Sequence, residues 1–203
     1  MTERAGPYSQ SPPKTSAAAS GTRLPHLAGP AAELRQVLAA HALRGCEHVV
    51  EIGGAGLPIS GFLTHRPASV TVIDPKIPAF AAETLNGAPC RVRHLAVKLQ
   101  QVELDQGAGR LGLVLLGLSL KPFGGAPALD DALLALARRA EVMVIDHALG
   151  LERALGQIGP LLAARDAPAM IDAEIRLNDA GLVKVGYDRR RFLVFDRHGK
   201  GAR

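Results

Sequence analysis

From residue 30 the chain alternates short apolar runs with stretches of helical period. AAELRQVLAAHALRG sets Leu34, Val37, Leu38 and His41 at i, i+3, i+4 and i+7, which predicts a helix opened by Pro30, closed before Gly45 and packed on that face. Apolar runs follow at HVVEI (48–52), SVTVID (69–74), RVRHLAV (91–97), LGLVLLG (111–117) and EVMVID (141–146). Between them ISGFLTH (59–65), PAFAAETLN (78–86), PALDDALLALARRA (127–140) and ALGLERALGQIGPLLAARDA (148–167) read as helix-like. Such alternation predicts a parallel sheet with helices on both faces, and the unbroken apolar runs suit strands buried on both sides. From Pro168 the pattern changes to two longer strands around turn chemistry at Asn178 to Gly181, so antiparallel strands should finish the sheet. The expected class is therefore α/β, a doubly wound and mostly parallel sheet with an antiparallel C-terminal pair.

Composition narrows this picture. The chain has 203 residues, enough for one domain with a sizeable core. Residues 1–29, rich in Ser, Pro, Ala and Gly without apolar period, read as a disordered or lid-like leader. Residues 30–197 form the domain and residues 198–203 a basic tail. The start lacks the apolar segment of a secretory signal, and no apolar run is long enough to span a bilayer, so the expected compartment is the cytoplasm. Cys46 and Cys90 fit no disulfide framework or zinc spacing, and the seven histidines form no HxxxH or HxH pair; no metal site is expected. Residues 184–203 hold seven Lys and Arg against Asp188 and Asp196, a local +5 equal to the formal charge of the chain. With aromatic residues at 3% of the chain and no Trp, no stacking platform accompanies this basic end. A small-molecule partner is thus favoured over nucleic acid.

The candidate chemistry lies in VVEIGGAGLPISGFL, residues 49–63, where a strand runs into a glycine-rich turn at the edge of the sheet that binds ligands in this fold class. Glycines there let the backbone approach a ligand without a Cβ between them. Two ligands compete. From Gly54, GAGLPI reads as a dinucleotide fingerprint with Ile59 at its third glycine position, and an NAD(P)-binding protein would follow. From Glu51, an acidic residue stands two before Gly53. Asp74 closes the next strand 23 residues after Glu51, and a carboxylate there suits a ribose diol in either ligand. Glu51 favours the second reading, because a carboxylate beside the turn would repel a pyrophosphate.

Glu51, Gly53 and Asp74 together resemble the first two motifs of the class I S-adenosylmethionine-dependent methyltransferases, a Rossmann-like superfamily with a seven-stranded sheet. Ala55 and Leu57 stand where that family usually has its later glycines. The resemblance implies S-adenosylmethionine as cofactor, held by Glu51, Gly53, Gly54, Gly56 and Asp74, with Pro75, Leu95 and Gly117 beside them. It implies methyl transfer to a small acceptor. The fourth strand ends in Gly117-Leu118-Ser119-Leu120, unlike the Asp or Asn followed by Pro-Pro of amino-group methyltransferases. Asp146 and His147 end the fifth strand, where His147 is the candidate general base. A chain that keeps this fold without catalysis, as an interaction module, remains the alternative from another class.

Overall fold

The computed structural model describes residues 30–53, 56–104, 107–116, 131–148, 169–178 and 185–196. The leader, the tail, Gly54, Gly117 and, beyond Ala148, the helix expected over 148–167 lie outside them. Helix α1 (Pro30–Ala42) precedes β1 (His48–Ile52), β2 (Ser69–Ile73), β3 (Phe80–Leu85), β4 (Ala88–Leu95) and β5 (Leu111–Leu116). Helix α2 (Asp131–Arg139), β6 (Val142–Ala148), β7 (Ala169–Asn178) and β8 (Val185–Asp196) complete the order.

The eight strands form one sheet in the order β3-β4-β2-β1-β5-β6-β8-β7. Strands β4, β2, β1, β5 and β6 run parallel, whereas β8 is antiparallel to both β6 and β7. The expected doubly wound sheet with an antiparallel C-terminal pair is thus present, with β3 added at one edge. Strand order reverses between β1 and β5, and Ile52 there lies opposite both Ile73 of β2 and Leu115 of β5. Crevices at such reversals are where open α/β sheets bind ligands.

Period-two alternation divides the strands between two cores. Val49, Val70, Val72, Val114 and Val144 pack with Ala39, Ala40 and Leu43 on the α1 side. Val50, Ile52, Ile73, Leu113 and Ile145 pack with Leu133, Leu136 and Ala137 of α2 on the other. Each large aliphatic side chain so buried contributes about 1.5–3 kcal/mol. Cys46 and Cys90 are free and buried, and burial pushes the Cys46 thiol up to about 11.

Two elements depart from the sequence reading. Helix α1 forms, but Val37 is 56% exposed and His41 is also exposed, while Arg35 is 1% and Gln36 0% exposed. The helix is therefore turned so that Ala32, Arg35, Gln36, Ala39 and Leu43 face the sheet. Small alanines permit a close approach, and the two polar residues meet partners on the strands, so polar pairing outweighs the more apolar face.

The second departure is PAFAAETLN, which forms edge strand β3 rather than a helix. Asn86 and Gly87 both have positive φ, 51° and 76°, and close a tight hairpin between β3 and β4. Asn-Gly is the pair that accepts this backbone at least cost. Likewise ISGFLTH contributes only a single 3-10 turn, Ile59–Gly61. Neither β1 to β2 nor β2 to β4 is therefore linked by an α-helix, and the α1 side is thinly covered near the β3–β4 edge.

Candidate functional site

Glu51, the only acid within β1, is 1% exposed. Its Oε2 accepts a 2.7 Å hydrogen bond from the backbone N–H of Ile59, and its Oε1 accepts one of 2.6 Å from Nε2 of Gln36. The Gln36 amide also donates to the carbonyl oxygen of Leu57. Arg35 stands between two strand ends, with Nη2 4.0 Å from Glu51 Oε1 and Nη1 3.7 Å from Asp146 Oδ2. Asp146 is 1% exposed. One turn of α1 thereby fastens the ends of β1 and β6 and the chain leaving the glycine turn.

Burial pushes the Glu51 carboxyl up from its ordinary value of 4.5, against the opposing pull of Arg35, the Ile59 N–H and the Gln36 amide. Asp74 adds to the rise through its own charge, so the two acids share one electrostatic neighbourhood.

Gly53 follows β1 with φ +86° and donates its N–H to the Ile73 carbonyl at 3.0 Å. It extends the β1–β2 ladder by one bond and then turns the chain through a conformation that side chains with a Cβ resist. Asp74 follows β2 and is 6% exposed. Its N–H donates to the Leu95 carbonyl at 3.1 Å, and its Oδ1 accepts from the Lys76 N–H at 2.7 Å, an Asx turn. Pro75, next in the chain, is exposed, as is Gly56.

Gly53, Asp74, Leu95 and Asp146 thus stand at or just past the carboxyl end of the parallel ladder on one edge of the sheet, and Glu51 lies two residues before Gly53. Gly54 and Gly117 fall outside the described residues. His147 is placed only through its backbone, opposite Arg191 of β8.

Sequence reasoning missed Arg35 and Gln36. A usable signal existed: a carboxylate within an apolar strand buried on both faces needs donors, and the neighbouring helix must supply them.

A second feature flanks the glycine turn. Ser60 Oγ and His94 Nε2 are 2.9 Å apart, and the Phe80 and His94 rings lie 5.1 Å apart with a 45° tilt. Burial holds the His94 imidazole below its ordinary 6.5. The folded state therefore resists protonation, and its stability should fall as pH drops below 6.5 toward the folded value. An NMR titration should place the His94 midpoint below 6.5; a midpoint at or above the ordinary value would refute this.

Among the described residues, no helix is long and apolar enough to cross a membrane. No family model matches the chain, and no curated protein does. Several solved structures are similar in fold. One is the putative precorrin-6Y C5,15-methyltransferase targeted domain from Corynebacterium diphtheriae, 11% identical over 80% of this chain and 95% of that one, with a TM-score of 0.48. Another is a precorrin 8w decarboxylase from Methanobacterium thermoautotrophicum, 15% identical over 85% and 94%, TM-score 0.47. A third is the O-methyltransferase TomG from Streptomyces achromogenes, in complex with SAM, 15% identical over 85% and 83%, TM-score 0.44.

Proposed function

We propose that this chain transfers a methyl group from S-adenosylmethionine to a small-molecule acceptor. The observation that carries this reading over the NAD(P) alternative is the environment of the glycine turn. The turn leads into a single 3-10 turn, not an α-helix, and the Ile59 N–H at its start already donates to Glu51. A pyrophosphate is best received at a helix N-terminus with free N–H donors, whereas among the described residues no α-helix follows the turn and the Ile59 N–H is already engaged. The charge-repulsion case made for Glu51 from sequence is weaker, because its carboxylate turns inward onto Gln36 and Ile59.

The residues present fit the methyl donor. Gly53 supplies a turn that a ligand can approach closely, with Gly54 and Gly56 next to it in the chain. Asp74 sets a buried carboxylate at the end of β2, suited to a ribose diol. Glu51, held by Arg35 and Gln36, fixes the course of the turn. Pro75 and Leu95 follow from the strand ends beside it, Gly117 is the next candidate in sequence, and His147 is the candidate for taking a proton from an acceptor hydroxyl. Bound S-adenosylmethionine supplies an electrophilic methyl group on a sulfonium. What the chain must add is positioning and exclusion of water, which can suffice for this reaction.

Calorimetry with S-adenosylmethionine, S-adenosylhomocysteine and NAD in parallel tests the reading. S-adenosylhomocysteine should bind, and Asp74→Ala should weaken it by about 1–3 kcal/mol, the cost of unpaired polar groups. Binding of NAD alone would overturn the proposal, and binding of none of the three would favour an interaction module. Unchanged affinity in folded Asp74→Ala would remove Asp74 from the site.

A further inference from the structure

On the α1 side, between the glycine turn and the β3–β4 hairpin, lies a groove of about 640 Å³, within the size range of small-molecule sites. It exists because a 3-10 turn and a hairpin stand where a doubly wound sheet ordinarily carries crossover helices. Its apolar wall includes Ile77, Pro78, Leu85 and Val92, and no Asp, Glu, Lys or Arg side chain lines it; His94 is its one titratable group. Phe80, 52% exposed, is one of two large apolar residues that the described chain leaves open to solvent. Its ring already leans on His94. The polar element is the Ser60–His94 pair, in which only Nε2 of the imidazole bonds to the described protein.

We propose that this groove binds a neutral, planar aromatic molecule carrying one hydroxyl or N–H group, beside the cofactor and away from Gly53 and Asp74, with Gly56 bordering both. A lining without charge disfavours phosphates, carboxylates and ammonium groups, which would lose hydration without gaining a partner. A half-exposed phenyl ring offers a stacking face, and a neutral imidazole can hydrogen-bond a hydroxyl through its second nitrogen. The inference goes beyond methyl transfer and does not depend on it.

The test is calorimetric titration of the full chain with naphthol, with naphthoate as the charged counterpart. Naphthol should saturate one site and naphthoate should bind far more weakly. Phe80→Ala should reduce naphthol affinity about tenfold, from lost stacking and contact area. Its melting temperature and its affinity for S-adenosylhomocysteine should stay at the wild-type values, since the side chain is half exposed. The proposal is overturned if naphthol does not saturate, if naphthoate binds equally, or if Phe80→Ala binds naphthol normally. It is also overturned if Phe80→Ala weakens S-adenosylhomocysteine to the same degree, which would make the groove part of the cofactor site. Self-association abolished by Phe80→Ala would identify a second copy of the chain as the occupant and overturn it as well. Should the wild-type chain bind no cofactor, methyl transfer falls while the naphthol result still decides the groove.

Discussion

Replacing Glu51 with Ala is expected to destabilise the fold by about 3–5 kcal/mol, the usual cost of breaking a buried ionic cluster from one side. The substitution deletes the acceptor for the Ile59 N–H and for the Gln36 amide. It also leaves Arg35 with Asp146 as its remaining ionic partner, 3.7 Å away. Every group concerned is buried, so water cannot substitute without entering the core. Glu51→Gln should fall between wild type and Ala, since its amide keeps one accepting oxygen but turns donors toward Gln36 or Ile59. The pH dependence carries a definite sign. A carboxyl raised above 4.5 on folding holds its proton more tightly in the native state, so its contribution declines as pH rises through that window. The gap between wild type and Glu51→Ala should therefore narrow from acid toward neutral pH. Urea unfolding at several pH values measures it, and a cost below about 1 kcal/mol throughout would show that Glu51 is not the fastening of the turn.

The sheet could be read from the sequence because its strands are continuous apolar runs buried on both faces, as the residues around Val50, Val72 and Leu113 show. Where the reading failed, local pattern and tertiary pairing disagreed. Leu34, Val37, Leu38 and His41 form a legitimate helical stripe, yet the face carrying Arg35 and Gln36 is the one that packs. Apolar period cannot register that Glu51, fifteen residues beyond Gln36, needs two donors. The edge hairpin is a different case. PAFAAE is rich in alanine and reads as helix by propensity, but Asn86-Gly87 carried the hairpin signal in plain view. The carboxylate positions of the candidate site, Glu51 and Asp74, were legible from spacing. Their inward bonds were not, because those depend on which helix face turns toward the strands and on a 3-10 turn that no periodicity announces.

Gly53→Val should abolish S-adenosylhomocysteine binding, and two separable causes contribute. Gly53 holds φ at +86°, where a residue with a Cβ pays roughly 1–2 kcal/mol and a β-branched one more. The backbone can relieve that strain by rotating out of the left-handed region, but rotation would break the 3.0 Å bond from its N–H to Ile73 and redirect the turn. The second cause is steric, because a branched side chain at the end of β1 occupies the space into which a ligand must come. Gly53→Asn divides the two, since Asn tolerates positive φ far better than Val yet still carries a Cβ. If close approach of the ligand is what the glycine provides, the Asn variant should melt near the wild-type temperature and still bind poorly. Normal binding by Asn together with loss in Val would assign the effect to backbone strain alone. Normal binding by a cooperatively melting Gly53→Val protein would mean that the turn holds no ligand, and the cofactor would have to be sought elsewhere on the sheet edge.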